Sequence, residues 1–327
     1  VRIKIIGAGY YGLSIGLGLK NAGHKIEIHE LRSDIMQGAS GNIPARLHAG
    51  FHYPRSYETR AACRAHNAEF MARYGDLTDS IPVNIYAIAA DTSMVDYPQY
   101  QATMTGEVPF IDIPRPAEFG LHNVAGAMLT GERHIVTSRA KAYFADQLAG
   151  DIHFESDDRK TYGFDWMIDC TFCASDWAGV DRYEPCVVLL LEGNADKAVT
   201  IMDGPLPSLY PWDRAKGLCS LSSALWTPIS KSIKTYAQAK AALDNFSNDE
   251  LADQCNSMID SMAFYYPEIR EYKQVGVMKS VRAMPLSGAD TRLIDVAVAG
   301  PKLIRIRAGK IDAVIAAERA VREIIGD

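Results

Sequence analysis

A chain of 327 residues, 48% hydrophobic and 23% charged, is large enough to bury one extensive core or two. Its net charge of -6 gives no general attraction for phosphate backbones, which counts against non-specific nucleic-acid binding. No apolar run reaches the length of a membrane span, and the six scattered cysteines suit reduced thiols better than a disulfide framework. The chain begins on a strand-like run that leaves no room for a signal peptide, so a cytoplasmic protein is expected.

That first run, Ile3-Lys4-Ile5-Ile6, leads into Gly7-Ala8-Gly9-Tyr10-Tyr11-Gly12, a helix-like segment, and a second strand ending at Glu30. Gly7 allows the tight turn, Gly9 lets a pyrophosphate approach the backbone, and Gly12 lets the helix pack against the strand. Glu30 stands 18 residues after Gly12, where a carboxylate accepts from a ribose hydroxyl. The combination predicts an ADP-ribose-type dinucleotide site, and the acid disfavours NADP. Glycines alone do not separate NAD from FAD.

A long irregular stretch, 31 to 55, follows; loops of this length in compact domains are often functional. A helix is expected from Ser56 to Tyr74 and a strand from Asn84 to Ala90. Thr137 or Ser138 would cap a helix reaching Leu148. Strands are expected at 152–155, 166–171, 186–191, 199–203, 208–212 and 217–222. Helices at 235–246 and 248–263, strands at 272–282 and 293–298, and a helix over 311–325 complete the pattern. There is no repeat, low-complexity tract or flexible linker. Dinucleotide-type elements at the start, middle and end imply a nucleotide domain into which other segments are inserted.

The loop Gly38-Ala39-Ser40-Gly41-Asn42, continuing through Arg46-Leu47-His48-Ala49-Gly50-Phe51-His52-Tyr53-Pro54-Arg55, resembles the flavin-wrapping loop of the D-amino-acid oxidase and glycine oxidase superfamily. Asp165 to Thr171 resembles the strand whose end meets the FAD diphosphate. Val281-Arg282-Ala283-Met284-Pro285 resembles the substrate-arginine segment, and Arg307 to Ile311 the last flavin-contacting turn. Two departures stand out. Phe172 replaces a usual glycine, so a different local turn is expected, and Ala308-Gly309-Lys310 replaces a histidine–glycine cluster.

The resemblance implies an α/β (α+β) fold: a Rossmann-like FAD-binding domain of glutathione-reductase type with an interleaved antiparallel-sheet substrate domain. Residues 1–56, 129–185 and 275–327 would form the former, 57–128 and 186–274 the latter. Gly7, Gly9, Gly12, Glu30, Arg32, Ser40, Asn42 and Thr171 would bind the ADP half and diphosphate, with turn chemistry as the alternative for Ser40 and Asn42. Arg46, Leu47 and His48 would lie along the flavin ring, His48 without a covalent bond. Gly309, Lys310 and Ile311 would open the last helix and stabilise charge developing on the flavin.

Arg282 is the first choice for holding a substrate carboxylate through two parallel hydrogen bonds, the alternative being an ion pair with an acid such as Asp290. Tyr210, His52 and Tyr53 are further candidates for orienting the substrate. No metal centre is expected: Cys170-x-x-Cys173 lacks a second pair, and His48 with His52 is too few. The implied reaction is oxidation of the C–N bond of an amino acid or glycine- or sarcosine-type amine, by hydride transfer to flavin N5 and imine hydrolysis. Alternatives are the same cleavage on an amino-acid adduct of a nucleobase, with Arg46, Arg55 and Arg60 meeting phosphates; oxidation of a 2-hydroxy acid; and a flavin-binding protein without turnover.

Overall fold

The computed structural model describes residues 1–174, 179–285 and 293–327. Asp290 lies outside the described residues. The strand Arg2–Ile6, rich in isoleucine and buried on both faces, is central in a six-stranded sheet. Lys25–His29 and the short edge strand Ile152–His153 lie to one side of it, and Trp166–Asp169, Leu303–Arg307 and Asp295–Gly300 to the other. All neighbours run parallel except the last two, which form a hairpin. The near-continuous apolar runs follow from parallel strands being covered on both faces. Helix Tyr10–Asn21 and the final helix Val314–Ile325 cover the sheet, and Leu13, Leu17, Ile28, Ile304 and Val321 share its core.

A second, eight-stranded sheet carries the strand-rich middle of the chain. Its longest pair, Val180–Glu192 and Lys273–Pro285, is antiparallel and places Glu184 directly opposite Arg282. The sheet is not wholly antiparallel, because Lys197–Met202 runs parallel to Val83–Ala89. Their wide separation in sequence supplies the long crossover that parallel pairing requires. Helix Asn248–Ala263, opened by a capping box of Ser247 and Glu250, sets Met258 and Met262 into this sheet's core. A three-stranded sheet of Arg46–Leu47, Arg133–Ile135 and Thr78–Ser80 lies alongside. Helix Tyr57–Tyr74, capped by Ser56, puts Phe70 and Tyr74 into the six-stranded sheet's core.

Several local expectations need correction. Thr137 and Ser138 do not cap their helix; it runs Thr137–Gln147 from Val136, without a side-chain cap. The helix Tyr97–Met104 and the strand Leu303–Arg307 went unforeseen, the former because its tyrosines and Pro98 mask a helical period. Gly309 and Lys310 do not open the last helix: a 3-10 turn, Ile311–Ala313, intervenes before Val314.

Candidate functional site

The glycine turn has the geometry that a dinucleotide needs. Gly7 takes φ +99°, and a Cβ there would stand 3.0 Å from the Cys170 carbonyl. A Cβ on Gly12 would stand 1.9 Å from the Gly7 carbonyl, so helix and turn approach closely only with glycine there. The Glu30 carboxylate accepts from Ala8 N–H at 2.8 Å and from Arg32 N–H at 3.0 Å, holding the second strand's end against the turn. Ser40 Oγ accepts from Tyr10 N–H at 3.0 Å, at the start of the helix.

One cavity is lined by Gly7, Gly9, Glu30, Arg32, Ser40 and Thr171 together with Gly309, Lys310 and Ile311. A glycine turn, a helix start and an acid at the end of the second strand suit the ADP portion of FAD, so the residues present fit that cofactor. Gly12 acts in packing and does not line the cavity. Asn42 also stands apart, its amide donating to the Gln37 and Gly38 carbonyls at 3.0 and 2.8 Å, which is the turn role. Leu47 is fully buried in the core of the six-stranded sheet. Alternation along its short strand turns Leu47 to the core while its neighbours Arg46 and His48 line a cavity.

That second cavity adjoins the first, and Phe172, Val281, Gly309 and Lys310 belong to the walls of both. Arg46, His48, His52, Tyr53, Arg282, Arg307 and Lys310 line it, with Asp203 opposite in charge. The rings of His48, His52 and Tyr53 lie 5.3–5.7 Å apart, and the Lys310 ammonium sits 4.3 Å from the Tyr53 ring centre. Arg46 is buried and fixed, donating to Tyr86 Oη at 2.8 Å and Ser208 Oγ at 2.6 Å. Burial works against its charge, but Tyr86, Tyr210 and Glu132 outweigh it and keep the guanidinium protonated. Tyr86 in turn donates to Glu132 at 2.5 Å. Burial pushes the Glu132 carboxyl up, against the pull of Arg46.

Arg282 reaches the cavity, but not as an unencumbered arginine. Its Nε and Nη2 donate to Glu184 Oε2 at 3.0 and 2.5 Å. Burial raises the Glu184 carboxyl; Arg282 and Arg182 together overcome this and hold it below its usual value. Tyr210 does not face the cavity. It is fully buried beneath the Arg46 guanidinium, 4.2 Å from ring centre to carbon, and donates to the Arg133 carbonyl. Sequence reasoning missed Glu184, Glu132 and Tyr86, which become partners of the arginines only when strands far apart in the chain pair.

The turn after Cys170-Thr171 keeps a left-handed backbone in spite of its phenylalanine. Phe172 has φ +57° and Cys173 φ +60°, so the expected change of turn is not a loss of the conformation that glycine favours. All six cysteines are free among the described residues. Burial pushes the Cys173 thiol up to about 12 and raises that of Cys170, which makes both poor nucleophiles.

No family model matches the chain. It is 32% identical over 341 residues, covering 99% of this chain and 91% of the relative, to the FAD-dependent monooxygenase FPY4 of Fusarium mangiferae. Among solved structures it resembles glycine oxidase from Geobacillus kaustophilus, with TM-score 0.66 and 13% identity over 100% of this chain and 94% of that one. It also resembles L-amino acid deaminase from Proteus vulgaris, with TM-score 0.70 and 13% identity over 100% and 94%. The first relative, similar over nearly the whole of both chains, places this chain in that relative's family of FAD-dependent oxidoreductases; the solved structures show that it shares the fold of glycine oxidase and L-amino acid deaminase, and it is an FAD-dependent enzyme.

Proposed function

We propose that this enzyme oxidises the C–N bond of a small amino-acid-like amine whose carboxylate is held in the cavity lined by Arg282. The observation that carries this reading is charge. In a chain of net charge -6, the wall of this cavity bears Arg46, Arg282, Arg307 and Lys310 against Asp203. A carboxylate is favoured there, and a substrate carrying only a positive charge is not.

Arg46 acts as a fixed charge, since Tyr86 and Ser208 hold it in place. The pair with Glu184 engages Nε and Nη2 of Arg282 and, among the described residues, leaves Nη1 outside it, so Glu184 orients a guanidinium that can present Nη1 to a substrate. His52 and Tyr53 form the wall beside Lys310. Bound FAD supplies the two-electron oxidant. A neutral amine needs no protein base, and the imine hydrolyses in water.

The nucleobase alternative is less well supported. Arg60 is buried against Glu107 and Arg46 is enclosed, so neither is presented to a phosphate chain, and the exposed Arg55 is already paired with Asp203. Monooxygenation is the second reading, favoured by the relative named as a monooxygenase over 91% of its length. Turnover under ¹⁸O₂ in ordinary water separates the two. Amine oxidation predicts a carbonyl product whose oxygen comes from water. Product carrying one atom of ¹⁸O would overturn it in favour of monooxygenation.

A further inference from the structure

At the edge of the cavity that suits FAD, whose wall includes His29, three potential ligand side chains meet on one face of the six-stranded sheet. Glu27 and His29 are alternate residues of the strand Lys25–His29, so they share a face. His153, on the edge strand, lies in parallel register beside His29, and the two rings stack with centres 4.9 Å apart. Glu27 Oε2 is 3.7 Å from His29 Nε2 and 3.8 Å from His153 Nε2. One ligand atom from each of the three residues lies within 4.8 Å of the others.

The surroundings orient these groups. His29 is 7% exposed, and its Nε2 is buried without a hydrogen-bond partner among the described residues. Its Nδ1 lies 2.8 Å from Ser156 Oγ, which can accept the ring proton and leave the Nε2 lone pair turned toward Glu27 and His153. Arg2 takes the other Glu27 oxygen, Oε1, at 3.3 Å, and the Lys4 ammonium is held by Asp158 at 2.7 Å.

We propose that Glu27, His29 and His153 form a binding site for a divalent transition metal of the zinc type, with water completing the coordination. Two imidazole nitrogens and one carboxylate oxygen are a suitable donor set for Zn²⁺. Bonds of about 2.0–2.2 Å place tetrahedral ligand atoms roughly 3.3–3.5 Å apart, a few tenths of an ångström closer than the spacing from Glu27 to each histidine. Rotation of the partly exposed Glu27 and His153 side chains closes that gap. The ion would tie the two-residue edge strand to its neighbour. It would also brace Glu30, whose N–H donates to the His153 carbonyl at 2.9 Å and whose carbonyl accepts from Ser156 N–H at 2.9 Å. This site is independent of the substrate reading.

The test is a competition titration of the chelator-treated, tag-free, FAD-loaded protein with ZnCl₂ against a chromophoric indicator. The expected result is one saturable Zn²⁺ per chain, weakened at least tenfold by Glu27→Gln and by His153→Asn separately, with unchanged circular dichroism. Both positions are partly exposed, so these variants should fold. Absence of saturable binding, or equal binding by the wild type and both variants, would overturn the site and leave the histidine pair as packing.

Discussion

Replacing Asp312 by asparagine should stabilise the protein, and by an amount that grows with pH. Asp312 lies in the turn Ile311–Ala313, beside Ile311 of the cavity wall. It is 1% exposed, and among the described residues neither carboxylate oxygen has a well-formed hydrogen bond. Burial pushes its carboxyl up to about 7, with Lys310 opposing this and Glu132 adding to it. In the unfolded chain the group ionises near 3.8. Between those values the folded state binds more protons, so stability falls as pH rises through the window and the deficit is complete above pH 7.

A displacement from 3.8 to about 7 corresponds to at most about 4 kcal/mol, and water penetration on ionisation brings the expectation nearer 2 kcal/mol. Asparagine has the shape of the neutral acid and never ionises. Urea unfolding of the FAD-loaded wild type and Asp312→Asn at pH 4, 6 and 8 measures the difference directly. The variant should match the wild type at pH 4 and exceed it by about 2 kcal/mol at pH 8. A gap that does not change with pH, or an asparagine variant less stable at pH 8, would refute the reasoning.

Gly12→Ala should abolish FAD retention, read as loss of flavin absorbance after gel filtration, whereas Gly276→Ala, which meets nothing within 4 Å, should keep it. Arg282→Ala should destabilise by about 1–3 kcal/mol in urea, because buried Glu184 loses two charge-assisted hydrogen bonds and keeps only Arg182. Adding Glu184→Gln should recover most of that stability while KM for a carboxylated substrate stays strongly raised; a normal KM would remove Arg282 from substrate binding. His134 is buried, and desolvation lowers its pKa from 6.5 to about 4. The unfolded state therefore binds more protons within that window: stability is full above pH 6.5 and falls by up to about 3 kcal/mol toward pH 4, a loss that His134→Asn should lack in the same urea series.

The cofactor end was legible because its chemistry is local. Gly7, Gly9 and Gly12 act through backbone geometry within one turn, and Glu30 reaches that turn from the next strand, so spacing alone carries the information. The substrate end was only partly legible because its partners are distant in the chain. Arg282 meets Glu184 across 98 residues and Arg46 meets Ser208 across 162, through a register that a single sequence does not print. Tyr210 and Leu47 show the limit of residue type. Leu47 stands between Arg46 and His48 of the cavity wall and alternation turns it to the core, whereas Tyr210 shares a strand face with Ser208 of the wall but is covered by the Arg46 guanidinium. Glu27 and His153 went unnoticed for a similar reason, since only pairing with the edge strand brings His153 beside His29.

The central claim is tested most directly by anaerobic titration of the purified, FAD-loaded protein with matched compounds, followed by absorbance near 450 nm. A small amine bearing a carboxylate should bleach the flavin, its decarboxylated counterpart should do so far less well, and Arg282→Ala combined with Glu184→Gln should erase that preference. Bleaching by the decarboxylated amine as readily as by the amino acid, or by 2-hydroxy acids alone, would contradict the account.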